Sequence, residues 1–235
     1  SAAPIRELAP MLREIPSARL FEEVLKLFLN GHAADTFEML VDLRLFEQLF
    51  PASAEALEEQ PTYTHSLISQ ALGNTDLRIK QGKTVTPAFL FAALLCPALP
   101  IRVLRLQARG MPPIPAMQEG ATELIAEQCQ RIAIPKRFTI REIWDMQERL
   151  PRRSGKRADL LLENSRFRAG YDFLLLRENA GEETDGLGDW WTEYQDANDS
   201  ERRSMIRDLG GKDEATGVAR KRKRSPAKRK RADDG

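Results

Sequence analysis

The sequence predicts an all-α fold: a multi-helix assembly followed by a disordered basic C-terminal tail. Three observations carry this. Apolar residues recur at helical intervals through most of the first 209 positions. Proline, glycine and small polar residues stand where those periods start and stop. No stretch alternates apolar and polar residues, and no hairpin turn separates β-branched runs. With 235 residues and 42% hydrophobic content, the chain can bury a real core.

In order, Leu20, Phe21, Val24, Leu25 and Phe28 mark a helix over 17–30, with Ser17 as N-cap after Pro16, Gly31 as the stop, and Glu22 spaced to pair with Lys26. Phe37, Leu40, Val41, Leu45, Leu49 and Phe50 predict a second helix over 34–50, stopped by Pro51. A third runs over 64–80 and ends at Gly82. Thr86 and Pro87 open a helix in TPAFLFAALL, apolar nearly all round and so expected to be the most buried. The proline-rich GMPPIP, 110–115, is read as a break, dividing the chain into 1–110, 111–209 and the tail 210–235.

After the break, a helix over 116–132 is ended by Pro135. Thr139 and Glu142 have the spacing of a capping box, starting a helix that runs to Leu150. Asn164 or Ser165 is expected to cap a helix bearing Phe167 and Tyr171. The segment from Glu178 turns acidic and then presents Trp190, Trp191 and Tyr194, which either pin a short helix to the body, the favoured reading, or stack on bases. A last helix covers 200–209, and beyond it almost nothing can be buried.

Charge is unevenly distributed. Nine of the 36 Lys and Arg residues fall within 220–231 and two of the 35 Asp and Glu residues at 233 and 234, which leaves 27 against 33, a net of −6, over residues 1–219. Cys96 and Cys129 are isolated, which favours a reducing compartment, and the cytoplasm is the expected location. There is no apolar run of membrane-spanning length and no signal peptide pattern. His32 and Asp35 could share a helix face, but two histidines without partner cysteines make no structural metal site. Phosphate-cradling glycine loops and nucleophile elbows are absent.

The informative stretch is 134–178. Arg152, Arg153, Lys156, Arg157, Arg166 and Arg168 are expected on two short helical segments, with Leu160, Leu161, Leu162, Phe167, Tyr171, Leu174 and Leu175 facing inward. Cations at fixed spacing can neutralise successive phosphates and release their counterions, so a phosphate backbone is one expected ligand. The other reading is a solvated face whose cations pair with Asp159, Glu163 and Asp172.

The runs LPRRSGKRA and ENSRFRAGYDFLLLRE resemble the C-terminal RNA-binding region of bacterial poly(A) polymerases, which belong with the CCA-adding tRNA enzymes to one group of nucleotidyltransferases. LFEQLFP, together with the order of Arg19, Glu22 or Glu23, and Lys26, is similar to the neck of that group. The resemblance implies that residues 1–110 are a helical neck and 111–209 an RNA-binding body. It also implies that the parent protein transfers AMP from ATP to RNA 3′ ends. The Asp-x-Asp pair that holds metal ions in that family has no match here. Ser1 and the early helical pattern add the expectation that this is a fragment without the catalytic head, inactive alone and without a cofactor, with ATP and Mg²⁺ belonging to the head. The implied RNA-binding residues are Lys136, Arg137, Arg152, Arg153, Lys156, Arg157, Arg166 and Arg168. Implied partners are RNA 3′ ends and an RNA helicase or ribonuclease of RNA decay. The corresponding region of a CCA-adding enzyme and a helical protein-interaction module are the alternatives.

Overall fold

A computed structural model describes residues 3–215. What the sequence predicts for residues 216–235 lies outside the described residues. The described chain is helical, with no strand among the described residues: α1 (Ala3–Leu8), a 3₁₀ helix (Ala9–Glu14), α2 (Ser17–Phe28), α3 (Ala33–Asp42), α4 (Phe46–Leu49), α5 (Pro51–Glu59), α6 (Pro61–Lys80), α7 (Pro87–Leu95), α8 (Ala98–Ala108), α9 (Pro113–Arg131), α10 (Ile140–Arg149), α11 (Arg157–Leu162), α12 (Phe167–Asn179), α13 (Leu187–Asp196) and α14 (Asp199–Ala215).

Several helices start on a proline at the first helical position, among them α5, α6, α7 and α9, because the N–H that proline lacks would have no partner there. Pro51, expected to stop a helix, therefore opens one. The helix predicted over 34–50 is broken in two by Arg44, whose backbone is left-handed at φ 59°. In one continuous helix Phe37 and Phe46, nine residues apart, would face opposite sides. The break lets both enter the core, where their rings meet edge to face at 5.0 Å. Two details of α2 also differ from expectation. Pro16, not Ser17, is the N-cap of α2, and Lys26 pairs with Glu23 at 2.9 Å instead of Glu22. The buried carboxylate of Asp76 on α6 accepts from the backbone N–H groups of Ala33 (2.7 Å) and Ala34 (3.0 Å), which satisfies the N-terminus of α3 and ties the two helices.

Helix α7 is buried on almost every side, as its composition predicts. No single helix among the described residues is long and apolar enough to cross a membrane. Gly110, left-handed at φ 92°, turns the chain between α8 and α9, which pack as a hairpin. One hydrophobic cluster runs across this turn, from Leu20 to Leu124 and on to Trp144 and Leu176. A second contains Met146, Leu150, Ala158, Leu161, Phe167, Tyr171, Leu174, Leu187, Trp191 and Tyr194. Helices α10 and α12 contribute to both and pack closely at Gly170, where an added Cβ would lie within 2.7 Å of Met146 Cβ.

Candidate nucleic-acid interface

Helix α10 ends over the second cluster. Leu150 is fully buried, and its carbonyl accepts a hydrogen bond from Trp191 Nε1 at 3.2 Å. The chain then turns through 151–156 before α11, with Gly155 left-handed at φ 61°. Arg152 and Arg153 thus sit on this loop and not on a helix as expected, because Pro151 follows the buried Leu150 and cannot prolong the backbone hydrogen bonding of α10. Lys156 is the N-cap of α11 and Arg157 its first residue. The six-residue α11 buries Ala158 and Leu161, one turn apart, which turns Leu160 outward at 64% exposure against the expectation that it faces in. Since Trp191 anchors the root of the loop, its cations project from fixed positions.

Arg153 lies with its guanidinium carbon 4.9 Å from the centroid of Trp190. Trp190 in turn stacks on Tyr194 (4.7 Å, 14° between planes), and Arg202 lies 5.2 Å from the Tyr194 ring. Tyr194 Oη donates to Asp159 Oδ1 at 2.6 Å; burial, then this bond, pushes the phenol above its ordinary value. The two tryptophans differ in burial. Trp191, with Tyr194, is completely buried and pins α13 to the body, while Trp190 is half-buried and borders solvent. Their spacing does not contain this split, since Tyr194 lies one turn on from both, four residues after Trp190 and three after Trp191. Arg202 carries no sequence signal either.

Between the loop and α13 lies a cleft of about 670 Å³, lined by Pro151, Arg152, Arg153, Ser154, Asp185, Gly186, Asp189, Trp190, Glu193 and Leu209. Arg153 Nε is buried there without a hydrogen-bond partner, and burial lowers its guanidinium from the ordinary arginine value. The charge remains, because arginine stays protonated in proteins.

The eight predicted cations fall into two groups. Arg166 pairs with Glu142, and Arg168 pairs with Asp172 at 2.9 Å and lies over Tyr171. Arg168 thus has a partner that the solvated-face reading names, whereas Arg166 is held by Glu142, which that reading does not name. Glu142 is therefore not in a capping box, and Thr139 makes no side-chain cap. Asn164 does act at the start of α12, accepting from the Arg166 N–H at 2.8 Å. Among the described residues no ion pair neutralises Lys136, Arg137, Arg152, Arg153, Lys156 or Arg157. Lys136 and Arg137 precede α10 and the other four follow it, so the two sets flank a ten-residue helix about 15 Å long. Other arginines are neutralised: Arg102 by Glu123 and Glu127, Arg105 by Glu55 and Glu59. A second cleft, of about 410 Å³, is bordered by Glu47, Glu55, Glu58 and Glu127 and repels phosphate. Among the described residues no three His, Cys, Asp or Glu side chains converge on a metal position; His32 is the N-cap of α3.

Comparison with known proteins gives the family. Residues 109–231, more than half of the chain, match the family model described as the polymerase A arginine-rich C-terminus. The chain belongs to the polymerase A family. Both the cleft and all eight candidate cations fall inside that match. Residues 1–57 of this polymerase A chain match a second model, described as a "Probable RNA and SrmB- binding site of polymerase A". Poly(A) polymerase I of Salmonella typhi is 38% identical over 97% of the chain, and that of Escherichia coli O157:H7 is 40% identical over the same share. Poly(A) polymerase I of Haemophilus influenzae is 40% identical over 88%. The chain spans about half the length of these relatives, 47–50%.

Proposed function

We propose that this chain is the RNA-holding part of a poly(A) polymerase, a nucleotidyltransferase that adds AMP from ATP to RNA 3′ ends. The observation that carries the proposal is the set Arg152, Arg153, Lys156 and Arg157, on the loop pinned by Trp191 and at the start of α11, left without carboxylate partners among the described residues. Arg152, Lys156 and Arg157 are exposed and Arg153 is half-buried, and cations without carboxylate partners are poised to exchange counterions for phosphates. Lys136 and Arg137, exposed at the other end of α10, extend the same track. In this reading ATP and Mg²⁺ bind in the part of the relatives' length that the present chain does not span. The transfer needs closely placed carboxylates for two metal ions, and the 235 residues match no Asp-x-Asp pattern for them. The cytoplasm is the compartment we assign, supported by two unpaired cysteines.

A protein partner belongs to the proposal for a separate reason. Ile5, Leu8 and Met11 are all exposed by 44–57% near one another in sequence, within the segment matched by the second family model. An RNA helicase or ribonuclease of RNA decay is the proposed occupant, and replacing the three by serine should abolish its capture without changing RNA affinity.

The test of the main proposal is a salt titration of binding to single-stranded RNA. Four phosphate contacts would give a log–log slope of about −3, from about −0.7 per contact. Absence of binding at low salt would sink the proposal. With labelled ATP, Mg²⁺ and RNA the chain alone should give no 3′ extension.

A further inference from the structure

We infer that the cleft between the 151–156 loop and α13 receives one unstacked nucleobase of a bound RNA strand, selected for an amino group on its pairing edge. The inference deepens the proposed function and rests on it. At about 670 Å³ the cleft falls in the range of small-molecule sites and has room for a nucleoside. Its wall holds a stack already assembled, Arg153 over Trp190 and Trp190 on Tyr194; the indole is covered by these two, and the guanidinium it carries is a planar surface of the kind on which proteins lay splayed RNA bases. Trp191 and Tyr194 are buried and serve the core, whereas Trp190 lines the cleft.

A second observation points to a ligand. The half-buried Arg153 guanidinium makes no side-chain hydrogen bond or ion pair among the described residues and so lacks an acceptor, although polar groups in folded proteins are mostly satisfied. A ring nitrogen, base carbonyl or ribose hydroxyl entering the cleft would supply one. The opposite wall says which part of the RNA enters. Asp185, Asp189 and Glu193 are exposed and make no ion pair among the described residues, so they repel phosphate and leave the backbone to the cations of the 152–157 cluster. Carboxylates only accept hydrogen bonds, and the amino groups of adenine, cytosine and guanine donate them. Uracil sets two carbonyls beside its single N–H and is disfavoured there.

The test uses the full chain and homopolymeric A, C and U oligoribonucleotides of equal length. The parent should bind A and C about five- to tenfold tighter than U, the discrimination expected from a good polar contact to a base edge. Trp190→Ala should lose about tenfold for A and C, because the guanidinium that carries the base loses its support, while Trp190→Phe keeps most of the affinity. Replacing Asp189 and Glu193 together by alanine should raise affinity for all three RNAs yet bring the A-to-U ratio close to one, a change that loss of a structural contact would not produce. If Trp190→Ala folds and binds all three RNAs as the parent does, the pocket is overturned and the proposed RNA binding survives. Should that variant not fold, the carboxylate variant decides, and an unchanged A-to-U ratio overturns the pocket. No binding of any RNA by the parent overturns both.

Discussion

Nε of Arg177 on α12 donates to Oε2 of Glu182 at 2.8 Å, and the same carboxylate oxygen accepts from Tyr63 Oη on α6 at 2.9 Å. Arg177 also reaches Gln147 Oε1 on α10 at 2.9 Å. Three helices and the loop after α12 are thereby joined through one ion pair. Burial alone would raise the Glu182 carboxyl, but the hydrogen bond and charge of Arg177 outweigh it and hold the group below its ordinary 4.5. A carboxylate with a depressed folded value contributes stability above about pH 4.5, and loses it as the pH falls through the folded value. Glu182→Ala should cost about 2–4 kcal/mol at neutral pH, toward the range for breaking a buried pair. The difference in denaturation free energy between the parent and Glu182→Gln should shrink below pH 4.5.

Gly170 lets α10 and α12 pack closely, since a Cβ there would overlap the Cβ and Cγ of Met146, near the stem of that side chain and not at its movable end. Gly170→Ala should destabilise the chain by about 1–3 kcal/mol or more, as overpacking does. Combining it with Met146→Ala should cost less than the sum of the two single changes, measured by urea denaturation.

Phe167 is 4% exposed, stacks on Tyr171 at 6.0 Å and meets Trp191 edge to face at 5.0 Å. Phe167→Ala should cost about 3–5 kcal/mol. An unchanged melting curve would refute the placement of this face of α12.

How much of this was readable in the sequence depends on the range of the interaction that decides each feature. The α7 helix and the inward face carrying Phe167, Tyr171 and Leu174 follow from local periodicity, and the structure places them so. The break at Arg44 does not, because a left-handed arginine is accepted only when Phe37 and Phe46 meet in the core. Glu142 looked like part of a capping box with Thr139, but its carboxylate is taken by Arg166, 24 positions away. The same holds at the candidate interface. The cations around 152–157 were legible as a charge cluster, whereas the Arg153–Trp190 contact joins residues 37 apart in the chain.

Burial pushes the Cys96 thiol up to about 12, and burial also raises Cys129. Neither thiolate should be populated in the native protein near pH 8, so both cysteines should react slowly with a thiol-specific reagent, Cys96 more slowly, until denaturant is added. The stability linked to a raised thiol value is present below about pH 9 and lost as the pH rises from there toward 12.

The most direct measurement of the central claim compares three chains across a salt series with single-stranded RNA: the parent, a chain ending at residue 215, and the variant with Arg152, Arg153, Lys156 and Arg157 changed to alanine, each first checked for folding by circular dichroism. The basic run over 220–231 can add affinity without choosing between RNA and DNA, so the shortened chain should bind both more weakly and keep its dependence on the four folded cations. The alanine variant should lose more RNA affinity than the shortened chain, with a log–log salt slope shallower by about 2–3, from about 0.7 per lost phosphate contact. If the shortened chain lost all binding while the alanine variant bound RNA as the parent does, the loop over α13 would be a solvated surface and the account would be wrong.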